Sequence, residues 1–438
     1  RQGNGTVNNC AHGFTPWGTY LTCEENWNGY FGATASPFTP TKLERRYGVS
    51  ANGFGYKWHV LDDRFDVRKN PNEPNNFGWV VEIDPFNPRS TPVKRTAMGR
   101  FKHESAQVAV GPDNAVGFYM GDDERNEYIY KFVCAKPWNP RNRAANMNLL
   151  DEGVLYVARF SSTPVPGKTN TFRGEWIALE PGTVGLDGKP LRENPEFAAA
   201  TDAEVKALIL IKTRMAADAV GATMMDRPEW TALRTYSFGG RAATGYSYGP
   251  GMPLEVYCTL TNNSRRGNTP ASSNNPNGST GAASANPPVD PANPRPDNDY
   301  GHIIRWREDG NTVRALAFEW DLFVQCGDKA TAKTLGSSYN AAGHDGYVGN
   351  INGDDFGAPD GLWFDHFGRM WIQTDQAGDG SGDWRNIGSN SMLCADPNTK
   401  QIRRFLTSPP NCEVTGVVST PDGRTVFCGI QHPGEDST

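Results

Sequence analysis

The sequence predicts an all-β fold, a β-propeller built from short antiparallel hairpins, with inserted helices and long loops. Strand-like runs dominate: residues 78–84, 117–120, 128–133, 154–160 and 369–374 are short, rich in aromatic and β-branched residues, and bounded by Gly, Pro, Asp and Asn. Turn formers are abundant, with 48 Gly and 32 Pro among 438 residues, as many short strands require. A weak unit also recurs. Gly111-Pro112-Asp113-Asn114, Asp365-His366-Phe367-Gly368 and Thr420-Pro421-Asp422-Gly423 each precede a strand, and the first two of these strands end at Gly121-Asp122-Asp123 and Gln373-Thr374-Asp375. Turn, strand and polar end is how hairpins within propeller blades read.

A chain of this length normally implies more than one domain. Closed all-β architectures are an exception, because they grow by adding similar units around an axis. Residues 1–438 therefore read as one domain. One helix is expected from about Asp202 to Val220, capped by Thr201-Asp202-Ala203-Glu204, with Val205, Leu208, Ile209, Ile211, Met215 and Ala219 at helical spacing. Residues 262–298, rich in Asn, Ser, Pro and Gly, read as a mobile loop or insertion. The start at Arg1 and the end at Thr438, just after Gln431-His432-Pro433-Gly434-Glu435, read as trimmed ends of a longer protein.

Composition excludes several functions. The net charge is −6 and basic residues do not cluster, which argues against nucleic-acid binding. No apolar run approaches the roughly 18 residues that span a bilayer. The eight cysteines form no CxxC or CxxH pair, so a structural zinc site is not expected. Gly245-Tyr246-Ser247-Tyr248-Gly249 has the spacing of a nucleophile elbow, but Pro250 and Pro253 follow where a helix would be needed. No Walker-type phosphate loop is present.

Carboxylates carry the chemical signal. Glu24, Glu25, Glu104, Asp122, Asp123, Glu124, Glu229, Asp360 and Glu413 lie in short blocks beside turn glycines and aromatic strands. Singly, each block is a strand end or a turn; together they suit hard multivalent cations. In an alternating strand Glu24 and Glu25 face opposite sides, so one of them can point to a shared centre. The turn Thr15-Pro16-Trp17-Gly18 can fold Cys10 back over Glu25, and a thiolate beside bound metal can be a ligand. Pro228 stiffens Arg227-Pro228-Glu229, so that Arg227 and Glu229 can enter one cavity. The planar fork of an arginine suits a phosphate oxyanion.

These blocks, in their order, resemble the PhoX-type alkaline phosphatases. The matching segments include Asn9-Cys10 to Asn26, Gly99 to Glu104, Tyr119 to Glu124, Gly221 to Glu229, Leu260 to Asn263, Gly301 to Trp306, Pro359 to Leu362, Cys412 to Gly416 and Gln431 to Glu435. The resemblance implies a propeller, expected to have six blades, whose axial end holds two ferric ions, two or three calcium ions and a bridging oxo group. It implies Cys10, Glu104 and Glu229 as iron-side ligands. Glu25, Asp123, Asp360 and Glu413 are implied on the calcium side, and Arg227 as the phosphate clamp. Asp122 and Asn262 would be neighbours of the site. The implied activity is release of inorganic phosphate from small-molecule phosphoesters by a monomer, in the periplasm or outside the cell, after export by a twin-arginine signal. Two rival readings are a calcium-dependent lactonase or esterase propeller, and a calcium-stabilised secreted propeller that binds a partner without chemistry. Neither has a use for a ligand thiol.

Overall fold

The computed structural model describes residues 5–236, 246, 248, 251–272, 285–333 and 346–434. Gly245, Ser247, Gly249 and Glu435 lie outside the described residues. The fold is mostly β. Its strands pair into sheets of 13, five and two strands. The pairing within them is repetitive. Strands Asn9–Phe14, Tyr20–Glu24, Val80–Ile83 and Val93–Lys94 form one antiparallel meander. His103–Val110, Val116–Asp122, Ile129–Cys134 and Gly153–Pro164 form a second, extended by Phe172–Ala178. Pro228–Leu233, Glu255–Leu260, His302–Glu308 and Ala317–Gln325 form a third. Pro359–Phe364, Met370–Thr374, Ser391–Ala395 and Gln401–Thr407 form a fourth. Glu413–Ser419 and Val426–Gln431 make a final hairpin.

Two links merge the first three meanders into the large sheet. One is a single parallel pair, Gly13 with Ala106, and the other is the pairing of Phe172–Ala178 with Ala317–Gln325. The Gly13 link requires glycine, because a Cβ there would lie 2.1 Å from the Ala106 carbonyl oxygen. The first strands of successive units pack side by side in chain order, from Asn9–Phe14 to Glu413–Ser419. The three recurring turns of the sequence all join a first strand to a second. Gly111 donates to the Ala115 carbonyl, Asp365 to that of Arg369, and Thr420 to that of Thr425.

The expected helix is two helices, Asp202–Ile211 and Thr213–Val220. Its cap is present: Thr201 accepts from the Glu204 amide and Glu204 accepts from that of Thr201. Lys212 leaves helical geometry at φ −107° and ψ 38°. The break has a physical cause in competing donors. Arg100 N donates to the Leu210 carbonyl, and Arg100 Nη1 and the Tyr47 hydroxyl donate to that of Ile211. The described parts of 262–298 contain no strand, yet Asn263, Arg266, Asn293, Arg295 and Asn298 are buried there.

A buried ionic cluster ties the second helix to the sheet. Arg46 donates to both carboxylate oxygens of Glu127 and of Asp218, and Arg214 forks onto Asp122. All five side chains are buried. Removing one member leaves its partners charged and unpaired, which costs far more than a surface pair. Arg46→Ala is expected to lower unfolding free energy by about 3–5 kcal/mol in urea denaturation.

Candidate metal centre

The same local geometry repeats in each unit and aims one acidic or thiol side chain inward. Cys10, Glu104, Glu229 and Asp360 are each the second residue of a first strand, and Glu413 is the first residue of the last one. In the four meanders a register shift spans the site residue or begins at it, between Asn9 and His12, Glu104 and Gln107, Pro228 and Thr231, and Pro359 and Leu362. Such bulges re-aim a side chain relative to the ladder. Two residues before Cys10, Glu229, Asp360 and Glu413 stand Asn8, Arg227, Ala358 and Asn411, all with positive φ. The second strands then return to the same end. The residues just after them, Glu25, Asp123, Asp375 and His432, line the same cavity.

That cavity, of about 420 Å³, gathers every site residue expected from the sequence: Cys10, Glu25, Glu104, Asp123, Arg227, Glu229, Asp360 and Glu413. Asp122 and Asn262 are absent from its lining. Asp122 points away to Arg214, as strand alternation dictates. Glu24 also points away, accepting from Lys94 Nζ at 2.7 Å and from the backbone amides of Gly78 and Trp79. The hairpin turn at Thr15–Gly18 brings Cys10 within reach of Glu25.

Asp375 and His432 are wall residues that the ligand expectations missed, although both lie in segments the sequence singled out. Their signal was position, since each follows a second strand as Glu25 and Asp123 do. Gln376, Asn390, Asn411 and Gln431 complete a neutral polar side of the cavity.

Ligand atoms of Cys10, Glu25 and Glu104 lie within 4.8 Å of one another, and so do those of Glu104, Glu229 and Asp360. Glu104 therefore joins two adjacent groups, and its buried Oε2 has no hydrogen-bond partner among the described residues. Glu25 thus lies within reach of the thiol, and Asp360 within reach of Glu104 and Glu229. A thiol with several carboxylates, one of them holding an orphaned oxygen, is a donor set that fits multivalent cations.

Electrostatics point the same way. Burial, then the charge of Asp123, pushes Glu25 well above the usual carboxylate range. Burial and the surrounding carboxylates also raise Glu104, Glu229 and Asp360, and carry Glu413 up to about 10. The Cys10 thiol opens onto the cavity yet lies deep among protein atoms; burial, then Glu104, raises it too. Asp123 is the exception. Burial raises it, but Arg227, a hydrogen bond with Glu229 and the charge of Lys102 together outweigh burial and hold it far below its ordinary value. Arg227 Nε and Nη2 bind Asp123 at 2.7 and 3.1 Å, and Nη2 reaches Glu229 at 2.9 Å. The Arg227–Glu229 pair is thus inside the cavity rather than on the surface.

Fold and site together define a mostly β protein with an acidic, thiol-containing centre built for cations. A family profile described as alkaline phosphatase PhoX matches residues 1–434, and the chain belongs to that family. The solved structure of Pseudomonas fluorescens PhoX, in complex with vanadate, a transition state analogue, is 45% identical with a TM-score of 0.80. The match covers 99% of this chain and 66% of that one, so the chain spans just under two thirds of its relative. An ACO/RPE65 chimera and an aldose sugar dehydrogenase from Streptomyces coelicolor are each 9% identical with TM-scores of 0.27. They cover 81% and 97% of this chain, and 62% and 91% of their own. At that similarity they carry no argument. No curated protein matches the chain.

Raised carboxyl values mean that the folded, cation-free protein binds more protons than the unfolded chain, so its stability falls as pH rises. Asp123 has the opposite sign, but its window lies in acid. The melting temperature in chelator is therefore expected to fall from pH 5 to pH 10, and added Ca²⁺ is expected to flatten that slope. A cation-free profile that rises across the range would contradict the assignment.

Proposed function

We propose that the chain is a metal-dependent phosphomonoesterase, an alkaline phosphatase that releases inorganic phosphate from organic phosphoesters. The observation that carries this reading is the convergence of Cys10, Glu104, Glu229, Asp360 and Glu413, from the starts of five neighbouring strands, on one cavity that also holds Arg227. Family membership supports it, as does the vanadate complex of the Pseudomonas fluorescens relative. In the same reading the meanders are blades of one six-bladed propeller. The enzyme acts as a monomer on small-molecule substrates in the periplasm or outside the cell. Among the described residues no helix is long and apolar enough to cross a membrane.

The centre is proposed to be mixed. Cys10, Glu104 and Glu229 would hold ferric ions, since the thiolate sets this group apart from an all-oxygen calcium site. Glu25, Asp123, Asp360 and Glu413 would hold calcium through oxygen. Bound cations would neutralise charge that develops on the phosphoryl oxygens. The rest of the work falls to the chain itself. Arg227 would offer guanidinium donors to those oxygens, its Nε and Nη2 being shared with Asp123 and Glu229. Asp123 holds the guanidinium against the cavity wall. Gln376, Asn390 and Asn411 line the cavity without adding charge.

Metal analysis beside p-nitrophenyl phosphate hydrolysis tests the reading. The protein is expected to contain iron and calcium and to hydrolyse the ester. Cys10→Ala is expected to lose iron, and Arg227→Ala to lose about 10²-fold in kcat/KM. Calcium without iron, and no hydrolysis, would sink the proposal.

A further inference from the structure

We infer that Asp226 is a positioning residue for Arg227, acting through a buried polar bracket formed with Asn263, Arg266, Asn293 and Asn298; this rests on the proposed reading of Arg227 as the phosphate clamp. Arg227 has φ +57°, a left-handed conformation costly for a residue with a β-carbon. Something must hold it there. Asp123 and Glu229 hold its side chain in the cavity, and a second restraint acts on the neighbouring backbone.

Asp226 supplies it. Its carboxylate is fully buried and lies outside the cavity. Oδ1 accepts from Asn263 Nδ2 and Arg266 Nε, both at 2.9 Å, and Oδ2 accepts from Asn298 Nδ2 at 2.9 Å. The bracket grips the flanking peptides as well. Arg266 Nη2 and Asn293 Nδ2 donate to the Met224 carbonyl at 2.7 and 3.1 Å. Thr261 N donates to the Arg227 carbonyl at 3.1 Å, and Asn126 N to that of Met225 at 2.9 Å. Asn263 and Asn298 form a backbone bridge to each other, which closes the bracket.

The polar residues thus hold the backbone before Arg227 through Asp226 and Met224, and Thr261 holds it after, its hydroxyl also donating to Glu229 at 3.1 Å. A bracket that sets the direction of one guanidinium has a distinct signature. It should alter oxyanion binding through Arg227 and leave metal content unchanged. A merely structural network would lower stability without that selectivity.

The test is a double-mutant cycle on the metal-replete protein, read as the inhibition constant of inorganic phosphate, with melting temperature and metal content measured in parallel. Asp226→Asn is expected to weaken phosphate inhibition about tenfold at unchanged metal content, and to have no further effect in an Arg227→Ala background. Additive effects, or lower stability at an unchanged inhibition constant, would overturn the inference. If Asp226→Asn does not fold, Asn298→Ser, which removes one donor, goes through the same cycle with the same two outcomes. An Arg227→Ala protein that binds phosphate like wild type would instead remove the clamp reading, and the inference with it.

Discussion

Mutual repulsion among buried carboxylates is the constraint on which this structure turns. Glu25, Glu104, Asp123, Glu229, Asp360, Asp375 and Glu413 share one cavity lining with a single arginine. Arg227 satisfies Asp123 and reaches Glu229, while burial and then neighbouring carboxylates raise the proton affinity of Glu25, Glu104, Asp360 and Glu413. Like charges so close in a low-dielectric interior cannot all ionise unless cations enter. Elsewhere the chain shows how buried charge looks when it is matched, as in the Arg46 cluster and around Asp226. The cavity is acidic by construction, and its imbalance is what a metal centre uses.

The fold meets this demand by repetition. Each meander begins with a strand whose early residue is turned inward by a bulge, and each second strand returns one residue later to the same end. A single local device, repeated, delivers ligands from segments as far apart as Cys10 and Glu413. It also explains why no compact metal motif exists in the sequence, since every unit contributes one or two donors. Loss of one bulge would turn one ligand without unfolding its sheet.

Much of this was legible in the sequence because strand length, turn composition and the order of acidic blocks are local properties. The three recurring turns fall where first and second strands meet, and all eight expected site residues line the cavity. What escaped had non-local causes. The helix from Asp202 breaks at Lys212 because Arg100 and Tyr47, distant in sequence, take the carbonyls that would continue it. Asp375 and His432 were not recognised as wall residues because their role comes from equivalence with Glu25 and Asp123, not from their own motifs. Composition alone could not show that Asn263, Arg266 and Asn298 are buried around Asp226, since polar, proline-rich sequence reads as solvated whatever it packs against. The approach of Cys10 to Glu25 was legible, because the Thr15–Gly18 turn is a local feature.

Anomalous X-ray diffraction from crystals of the metal-loaded protein, collected on both sides of the iron edge, tests the central claim most directly. An iron signal within bonding distance of Cys10 and Glu104, with other cation density among the remaining carboxylates, is the predicted result. Density in the cavity that holds only water, with the carboxylates paired to protons or to arginine, would contradict it.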